Sequence, residues 1–422
     1  MKVLGIVSEY NPFHNGHLYH LQASRTLSGA DCIVAVMSGN FTQRGEPALV
    51  DKWARTEMAL LCGADLVIEL PLIYAMSSAE YFAFGAVKLL DSLGVVSMMS
   101  FGSESGSLEM LSQTASILSE EPEHYRYVLK ESLFRGKSYP AARQEALSGY
   151  LTAQYGCDTL SGILKNSNNI LAIEYLKALK RLKSSIVPMT IERVGNKYNS
   201  VELSGELSSA TSIRKITAEN PWPEARQLLA PALPNKALAI LEREIELGRG
   251  PVFTSDYLMI LLSLLRRMSI KEISCLPYME QGLENRFKQA AESAGSYQEL
   301  LDALCTKRYT NTRIQRILFC LLAGIRKEHF DFFNQNGGPA YIRILGFNET
   351  GRKLLPDIKN KSTLPVITKV ADYKNSGLPG VSSMLQMEAA ASDQYVLGFK
   401  NTALRKSGSE FTRNIILLSE SF

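Results

Sequence analysis

Three of the five histidines in this 422-residue chain, His14, His17 and His20, fall within one seven-residue window. The window reads Glu9-Tyr10-Asn11-Pro12-Phe13-His14-Asn15-Gly16-His17-Leu18-Tyr19-His20. It lies between a β-type run, Val3–Val7, and a helical pattern, Leu18–Leu27. A strand-to-helix turn offers free helix-start amides and the positive end of a helix dipole, which together favour an anion such as phosphate. His14 and His17 are three residues apart, so a helical turn brings them to one face. Gly16 lacks a side chain and lets a phosphate approach the backbone. Two imidazoles there can donate to nucleotide phosphates and stabilise charge developing at the α-phosphorus. A zinc site is a weaker reading, because no carboxylate or thiolate partner has suitable spacing, and no metal ligand is assigned. Histidines that merely cap and pack a helix start remain the plain alternative.

The elements that must position this window follow from the pattern of apolar runs. Asp31–Ser38, Asp65–Leu70 and Val95–Phe101 read as further strands, and Lys52–Cys62 and Ala79–Leu93 as helices between them. Continuous apolar strands alternating with helices mean an α/β fold, a Rossmann-like doubly wound parallel sheet covered on both faces. Its ligands bind beyond the carboxyl ends of the strands. Residues 107–150 read as peripheral helices. A helix at Ile170–Leu182, a strand at Ile186–Arg193 and a helix opening at Ser212 complete a domain spanning 1–218. After Asn220-Pro221-Trp222-Pro223 a helical region, 219–335, is expected, with helices at Glu224–Leu229, Lys236–Leu247, Asp256–Met268, Glu284–Ser293, Tyr297–Thr306 and Arg313–Lys327. A small mixed segment, 336–422, follows, with strand-like Tyr341–Leu345, Val366–Val370 and Tyr395–Gly398.

His-Asn-Gly-His is the HxGH form of the nucleotidylyltransferase superfamily, which this part of the chain resembles. A second signature of that superfamily is expected at a helix start at the far end of the domain. It is met as Ser208-Ser209-Ala210-Thr211-Ser212-Ile213-Arg214-Lys215, where an inserted alanine leaves the alignment of Ser208 and Ser209 open and Thr211–Arg214 is the firmer match. Longer strings narrow the likeness: Val36–Ala48 with Lys52-Trp53-Ala54-Arg55, Asp65–Pro71, Phe101-Gly102-Ser103-Glu104, Asn168–Ala172, and Lys307–Thr310 with Thr312–Arg316. Together they resemble the bacterial tRNA(Met) cytidine acetate ligases over nearly the whole chain.

The resemblance implies an enzyme that uses ATP to activate acetate as acetyl-adenylate, releasing pyrophosphate. The acetyl group then passes to N4 of the wobble cytidine of elongator tRNA(Met). It implies catalytic roles for His14 and His17 and an ATP-contacting stretch that includes Val7, Tyr10, Asn11, Phe13, Asn15, Gly16 and His20. Gly102, at a strand end, leaves room for adenosine, and Asn168 or Asn169 reads adenine or ribose from a helix start. Arg193, before a turn at Gly195, contacts the nucleotide, while Thr211 and Ser212 hold the β- and γ-phosphates and Arg214 or Lys215 neutralises the departing pyrophosphate. Gln43, Arg44, Lys52 and Arg55 are candidates for acetate or the tRNA end. For tRNA the basic clusters are Lys177, Lys180, Arg181 and Lys183, and Lys307, Arg308, Arg313 and Arg316, with Tyr309 as a stacking surface. Mg²⁺ is expected with ATP, without a carboxylate cluster to mark it.

Composition agrees with this division. The chain is 45% hydrophobic and 21% charged with a net charge of +4, which excludes collagen-like, disordered and disulfide-scaffold proteins. Residues 1–150 carry 11 basic and 16 acidic side chains, whereas 301–422 carry 17 and 10. A polyanion is the natural partner for the second region. Six cysteines without a CxxC pair suit a reducing compartment. The absence of a signal-like N-terminus and of any run near the ~18 apolar residues of a membrane span makes a cytoplasmic protein the expectation. Two other readings stay open: a nucleotidylyltransferase that makes a small adenylylated cofactor, and a non-catalytic RNA-binding protein on the same fold.

Overall fold

The computed structural model describes residues 1–156, 158, 160, 162–193, 209–373, 377–378 and 380–418. Ser208, Gly195 and Cys157 lie outside them. Five strands run parallel: β1 (Val3–Ser8), β2 (Cys32–Ser38), β3 (Leu66–Leu70), β4 (Met98–Ser103) and β5 (Val187–Glu192). The sheet order is β5-β4-β1-β2-β3, continued by β6 (Ile342–Phe347) and β7 (Val366–Ile367), with β8 (Ile416–Leu417) also paired to β6. The order reverses between β1 and β4, so a doubly wound sheet opens its crevice there, at the carboxyl end of β1.

Both faces of the sheet are covered, as unbroken apolar strands require. Val34, Val36 and Ile68 enter one core, while their neighbours Ile33, Ala35, Met37 and Val67 enter the other. The first core is shared with helices Ala79–Ser92, Leu108–Glu120 and Ser167–Leu182. It continues into the helical region through Leu261, Phe287, Leu300, Ile314 and Phe319. The second lies under Asn15–Ser28, Lys52–Leu61 and Ala210–Glu219, joined by Leu229, Ala237, Leu238 and Leu241. The helices of 219–335 are therefore divided between the two faces. None of the described helices is long and apolar enough to cross a membrane.

The C-terminal segment differs from expectation. Residues 336–422 do not stand apart: β6 pairs antiparallel with β3, Ile68 opposite Ile344 and Glu69 opposite Arg343, which makes the sheet mixed at that edge. Tyr395–Gly398 is not a strand. Tyr395 ends the helix Val381–Tyr395, whose buried Met384, Leu385, Glu388, Ser392 and Tyr395 recur at helical spacing, and 396–398 is a 3₁₀ turn. The Tyr395 hydroxyl is buried and donates to the Ala48 carbonyl at 2.8 Å, a partner far away in sequence. Val366–Val370 is a strand only through Ile367, and the helix expected over Arg313–Lys327 stops at Leu322, before Gly324 at φ 71°.

Beside the strand pairing, a buried ionic cluster joins the segment to the sheet. Lys52 Nζ meets Glu69 Oε1 at 2.5 Å, Glu410 Oε1 at 2.9 Å and Glu388 Oε1 at 3.9 Å. Arg343 pairs with Glu69 at 3.1 Å and with Glu410. Lys52 was a candidate for acetate or the tRNA end; with no exposed surface and three carboxylates around it, it serves the fold instead.

Removing one partner from a buried ion pair leaves an uncompensated charge and costs about 3–5 kcal/mol. Lys52→Met should therefore lower unfolding stability by about that amount in urea titrations. Lys180→Met, which loses an exposed pair with Glu120, should change it by less than about 1 kcal/mol. Similar losses in the two variants would contradict a structural role for Lys52.

Candidate active site

The helix Asn15–Ser28 starts directly at the β1–β4 crevice, and its N-cap is His14. The His14 Nδ1 accepts the Gly16 backbone N–H at 3.1 Å, and the His17 Nδ1 accepts the His14 backbone N–H at 3.2 Å. The two rings stack, with centroids 3.8 Å apart. The caps thus fix the orientation of both rings. A backbone N–H can only donate, so each Nδ1 is a bare lone pair and each neutral ring carries its proton on Nε2. Burial holds His14 down to about 3, helped by the Arg193 guanidinium. Burial likewise holds His17 well below its ordinary range, with His14, Arg193 and His20 adding to it. Both rings are neutral donors at physiological pH. His20 is pushed down to about 4 by burial and then by Arg193, and its Nε2 meets Ser100 Oγ at 3.2 Å.

The glycine between the histidines has an immediate reason other than access for phosphate. A Cβ at Gly16 would lie 2.9 Å from His14 Cε1 and displace the capping ring. Tyr10 and Phe13, expected to contact ATP, are buried; both rings pack against His17 and support it from behind. Asn11 is buried as well, its Oδ1 accepting the Leu49 N–H at 2.7 Å. Asn15 Nδ2 donates to the Pro231 carbonyl and fixes the helix start to the segment after 230. Val7 is half-buried within β1.

Opposite β1, the ends of β4 and β5 meet the start of helix Ser167–Leu182. Glu104 caps that helix, accepting from the backbone N–H groups of Asn168 at 3.3 Å and Asn169 at 2.8 Å. Asn169 is buried and its Oδ1 takes two N–H groups, from Glu104 and Ser105, so it is structural. Asn168 is half-buried, and its Oδ1 accepts from Arg193 Nη1 at 3.1 Å. Gly102 lies under that arginine: a Cβ would be 3.2 Å from Arg193 Cγ. The glycine, Arg193 and Asn168 therefore form one wall.

The other wall is the helix Ala210–Glu219. It is capped by Ser209, one of the two unaligned serines, whose Oγ accepts the Ser212 N–H at 3.2 Å. The helix opens two residues before Ser212, leaving Thr211 exposed in the first turn. Arg214 reaches back to the Asn11 carbonyl at 3.1 Å and pairs with Glu46 at 2.8 Å.

Two further candidates are corrected. Arg55 is fully buried and donates to the carbonyls of Glu9, Ser38, Gly39 and Val50, gathering the ends of β1 and β2. Arg316 faces inward: it donates to the Gln43 carbonyl at 3.3 Å and lies 5.3 Å from the centroid of the Tyr278 ring. Gly45, at φ 71°, packs directly on the Arg316 backbone, where any Cβ would collide. Gln43 and Arg44 remain at the mouth, half-buried and exposed respectively.

The basic clusters lie outside this mouth. Arg313 pairs with Glu280 at 2.8 Å and Arg308 with Glu280 at 2.7 Å, and both guanidinium groups flank Tyr309. Lys307 is exposed. Lys177 pairs with Glu174 and Lys180 with Glu120, Arg181 lies over the Phe84 ring, and Lys183 ends its helix in a left-handed conformation. Sequence reasoning gave no role to Glu9, Glu46 or Glu104. Glu46 and Glu104 stand in the strings that carry the family likeness and Glu9 in the histidine window, but only their contacts distinguish them.

The tautomers are directly testable. Long-range ¹⁵N NMR should show His14 and His17 as Nε2–H rings that do not titrate between about pH 5 and 7, although a free histidine titrates near pH 6.5. Because the native rings refuse protons that the unfolded chain accepts, these histidines should lower stability as pH falls below about 6.5. A His14 that titrates near its ordinary value would contradict the capping geometry.

A family model described as HIGH Nucleotidyl Transferase matches residues 1–410. The tRNA(Met) cytidine acetate ligase of Acetivibrio thermocellus is 51% identical over 99% of this chain and 100% of its own. That of Caldanaerobacter subterraneus subsp. tengcongensis is 49% identical over 96% and 98%. Among solved structures, Thermotoga maritima TmcAL bound with alpha-thio ATP superposes with a TM-score of 0.91 at 39% identity, covering 99% of this chain and 100% of that one. Its apo form gives 0.93 at 40%. With its HxGH pair capping the helix at the switch point of the sheet, the chain belongs to the HIGH nucleotidyl transferases and, among them, to the tRNA(Met) cytidine acetate ligase family.

Proposed function

We propose that this chain is an ATP-dependent ligase that acetylates the wobble cytidine of elongator tRNA(Met). An acetate oxygen attacks the α-phosphorus of ATP, giving acetyl-adenylate and pyrophosphate. The cytidine N4 then attacks the acetyl carbonyl, giving N4-acetylcytidine and AMP. The observation that carries the reading is the stacked, neutral His14–His17 pair with both Nδ1 atoms occupied by backbone N–H groups. Two Nε2–H donors at a helix N-terminus suit a phosphorus that gains charge as it is attacked, and adenylyl transfer needs such positioning more than a protein nucleophile. The names of the relatives, and the ATP analogue bound to the Thermotoga maritima protein, support the substrates.

Around that pair, Thr211, Ser212 and Arg214 are assigned to the β- and γ-phosphates, and Arg193 with Asn168 to the nucleoside. Gln43 and Arg44 are assigned to acetate or the tRNA end. Among the described residues, no three His, Cys, Asp or Glu side chains converge as a metal site. A Mg²⁺ accompanying ATP would then be held mainly by phosphate oxygens and water, a common arrangement for this ion. We assign ATP chemistry to residues 1–218 together with the strands that 336–422 adds to their sheet. The exposed basic residues Lys307 and Arg308, with Tyr309 and Arg313, are assigned to tRNA.

Acetate-dependent exchange of labelled pyrophosphate into ATP tests the first step, and exchange that ignores acetate would refute the reading. His17→Ala should lower exchange by about 10²–10³-fold, the range for a lost transition-state donor, while filter binding of tRNA persists. The helical region adds a second test. Arg316→Ala should reduce exchange itself, because it releases Gln43 at the mouth. Paired Lys307→Glu and Arg308→Glu substitutions should instead raise the KM for tRNA by more than about tenfold. If both variants fail only in tRNA binding, Arg316 belongs to the RNA surface after all.

A further inference from the structure

Glu9 stands one residue beyond the end of β1, at the mouth that holds the histidine pair. Adenylyl transfer has no use for an anion beside a polyphosphate, yet this carboxylate is deliberately held. Its Oε1 accepts the Gln43 N–H at 2.6 Å. Among the described residues no lysine or arginine forms an ion pair with it, and its other oxygen has no hydrogen-bond partner. The charged and titratable groups around it are Arg44 and Glu46 from the loop after β2, Arg214 from the helix Ala210–Glu219, Arg55 from the helix Lys52–Leu61 and Tyr175 from Ser167–Leu182. Arg214 is already paired with Glu46, and Arg55 is spent on backbone carbonyls. Burial, reinforced by Glu46 and opposed by the Gln43 N–H, Arg214 and Arg44, pushes the Glu9 carboxyl above the usual range. A carboxylate so shifted is a better proton acceptor near neutral pH.

The second step of the proposed reaction needs such an acceptor. The lone pair of the cytidine N4 is delocalised into the pyrimidine ring, so the amine attacks a carbonyl only as a proton leaves it. The histidines cannot take that proton: His14 and His17 have Nδ1 occupied and Nε2 protonated, and His20 is held by burial near 4. Glu46 is paired with Arg214, and both oxygens of Glu104 cap a helix.

We infer that Glu9 is the general base of acetyl transfer, an assignment that rests on the ligase reading above. As the N4–C bond forms, Glu9 takes one N4 proton. The bond between the acetyl carbon and the AMP oxygen then breaks, and AMP leaves with the electron pair. Glu9 afterwards gives its proton to water. The products are N4-acetylcytidine, AMP and one proton.

The test separates the half-reactions in the full-length protein, using labelled acetate, ATP and an elongator tRNA(Met) transcript. Pyrophosphate exchange reports the first step, and single-turnover transfer from preformed acetyl-adenylate reports the second. Glu9→Gln should lower transfer by about 10²–10³-fold, within the range of general-base catalysis, and at least about thirtyfold more than it lowers exchange. The wild-type transfer rate should fall on the acid side as the base protonates. That limb should vanish in Glu9→Gln and persist, at a reduced rate, in Glu9→Asp. Equal losses in both half-reactions, or an acid limb that survives in Glu9→Gln, would overturn the assignment. If the wild-type protein itself forms no acetylcytidine, the ligase reading fails and this inference falls with it.

Discussion

Lys52 is the charge on which the rest of this structure depends. A fully buried ammonium is tolerable only when carboxylates surround it, and here they come from β3, from the helix Val381–Tyr395 and from Glu410 near the C-terminus. The cluster holds two cations, Lys52 and Arg343, against three carboxylates. Burial and the neighbouring Glu69 push Glu388 well above the ordinary range, whereas Lys52 and Arg343, against burial, hold Glu410 down to about 2. The backbone N–H of Lys52 also donates to Asn40 Oδ1, and Asn40 Nδ2 donates to Ser392. The loop from Ser38 to Asp51 is thus fastened from below before any ligand arrives.

That fastening reaches the chemistry through one short path. The loop presents the Gln43 N–H to Glu9, Arg55 draws Glu9, Ser38 and Gly39 together from beneath, and Glu9 leads into the turn that ends at His14. At His14 the helix start and the histidine tautomers become one problem. Orphan N–H groups at a helix N-terminus need acceptors. Using imidazole Nδ1 atoms for the purpose leaves the opposite ring nitrogens as donors. A capping motif built from serine and glutamate would satisfy the helix equally well but would place no imidazole N–H there.

The regional charge imbalance has a structural counterpart, although the two ends of the molecule are not separate. Helix Asn311–Leu322 carries Arg313 outward beside Tyr309 and Arg316 inward against the loop after β2. The close packing of Gly45 on the Arg316 backbone makes that contact tight. A polyanion held on the outer side of this helix would lie one side chain away from the residues that hold Gln43. Burial also narrows the basic surface, since Lys52, Arg55 and Arg343 are enclosed and half-buried Arg316 is turned toward the Gln43 carbonyl.

The local features were legible in the sequence. The parallel strands β1 to β5, the helices between them, and the histidine window at a strand-to-helix turn follow from apolar period and residue type, which are properties of neighbours along the chain. Even so, β4 starts at Met98 rather than Val95, and Glu104, read only as part of a string, proves to be a helix cap. The tertiary structure alone decided which charges are buried. Lys52 and Arg44 are both cations in the same polar stretch, yet one is enclosed by Glu69, Glu388 and Glu410 while the other is exposed, and nothing near residue 52 announces partners more than 300 residues away. The same holds for β6, whose antiparallel pairing with β3 joins distant segments, and for Tyr395, whose partner is the Ala48 carbonyl. Side-chain type and local period are set by adjacent residues, whereas desolvation and pairing depend on what the fold brings from elsewhere.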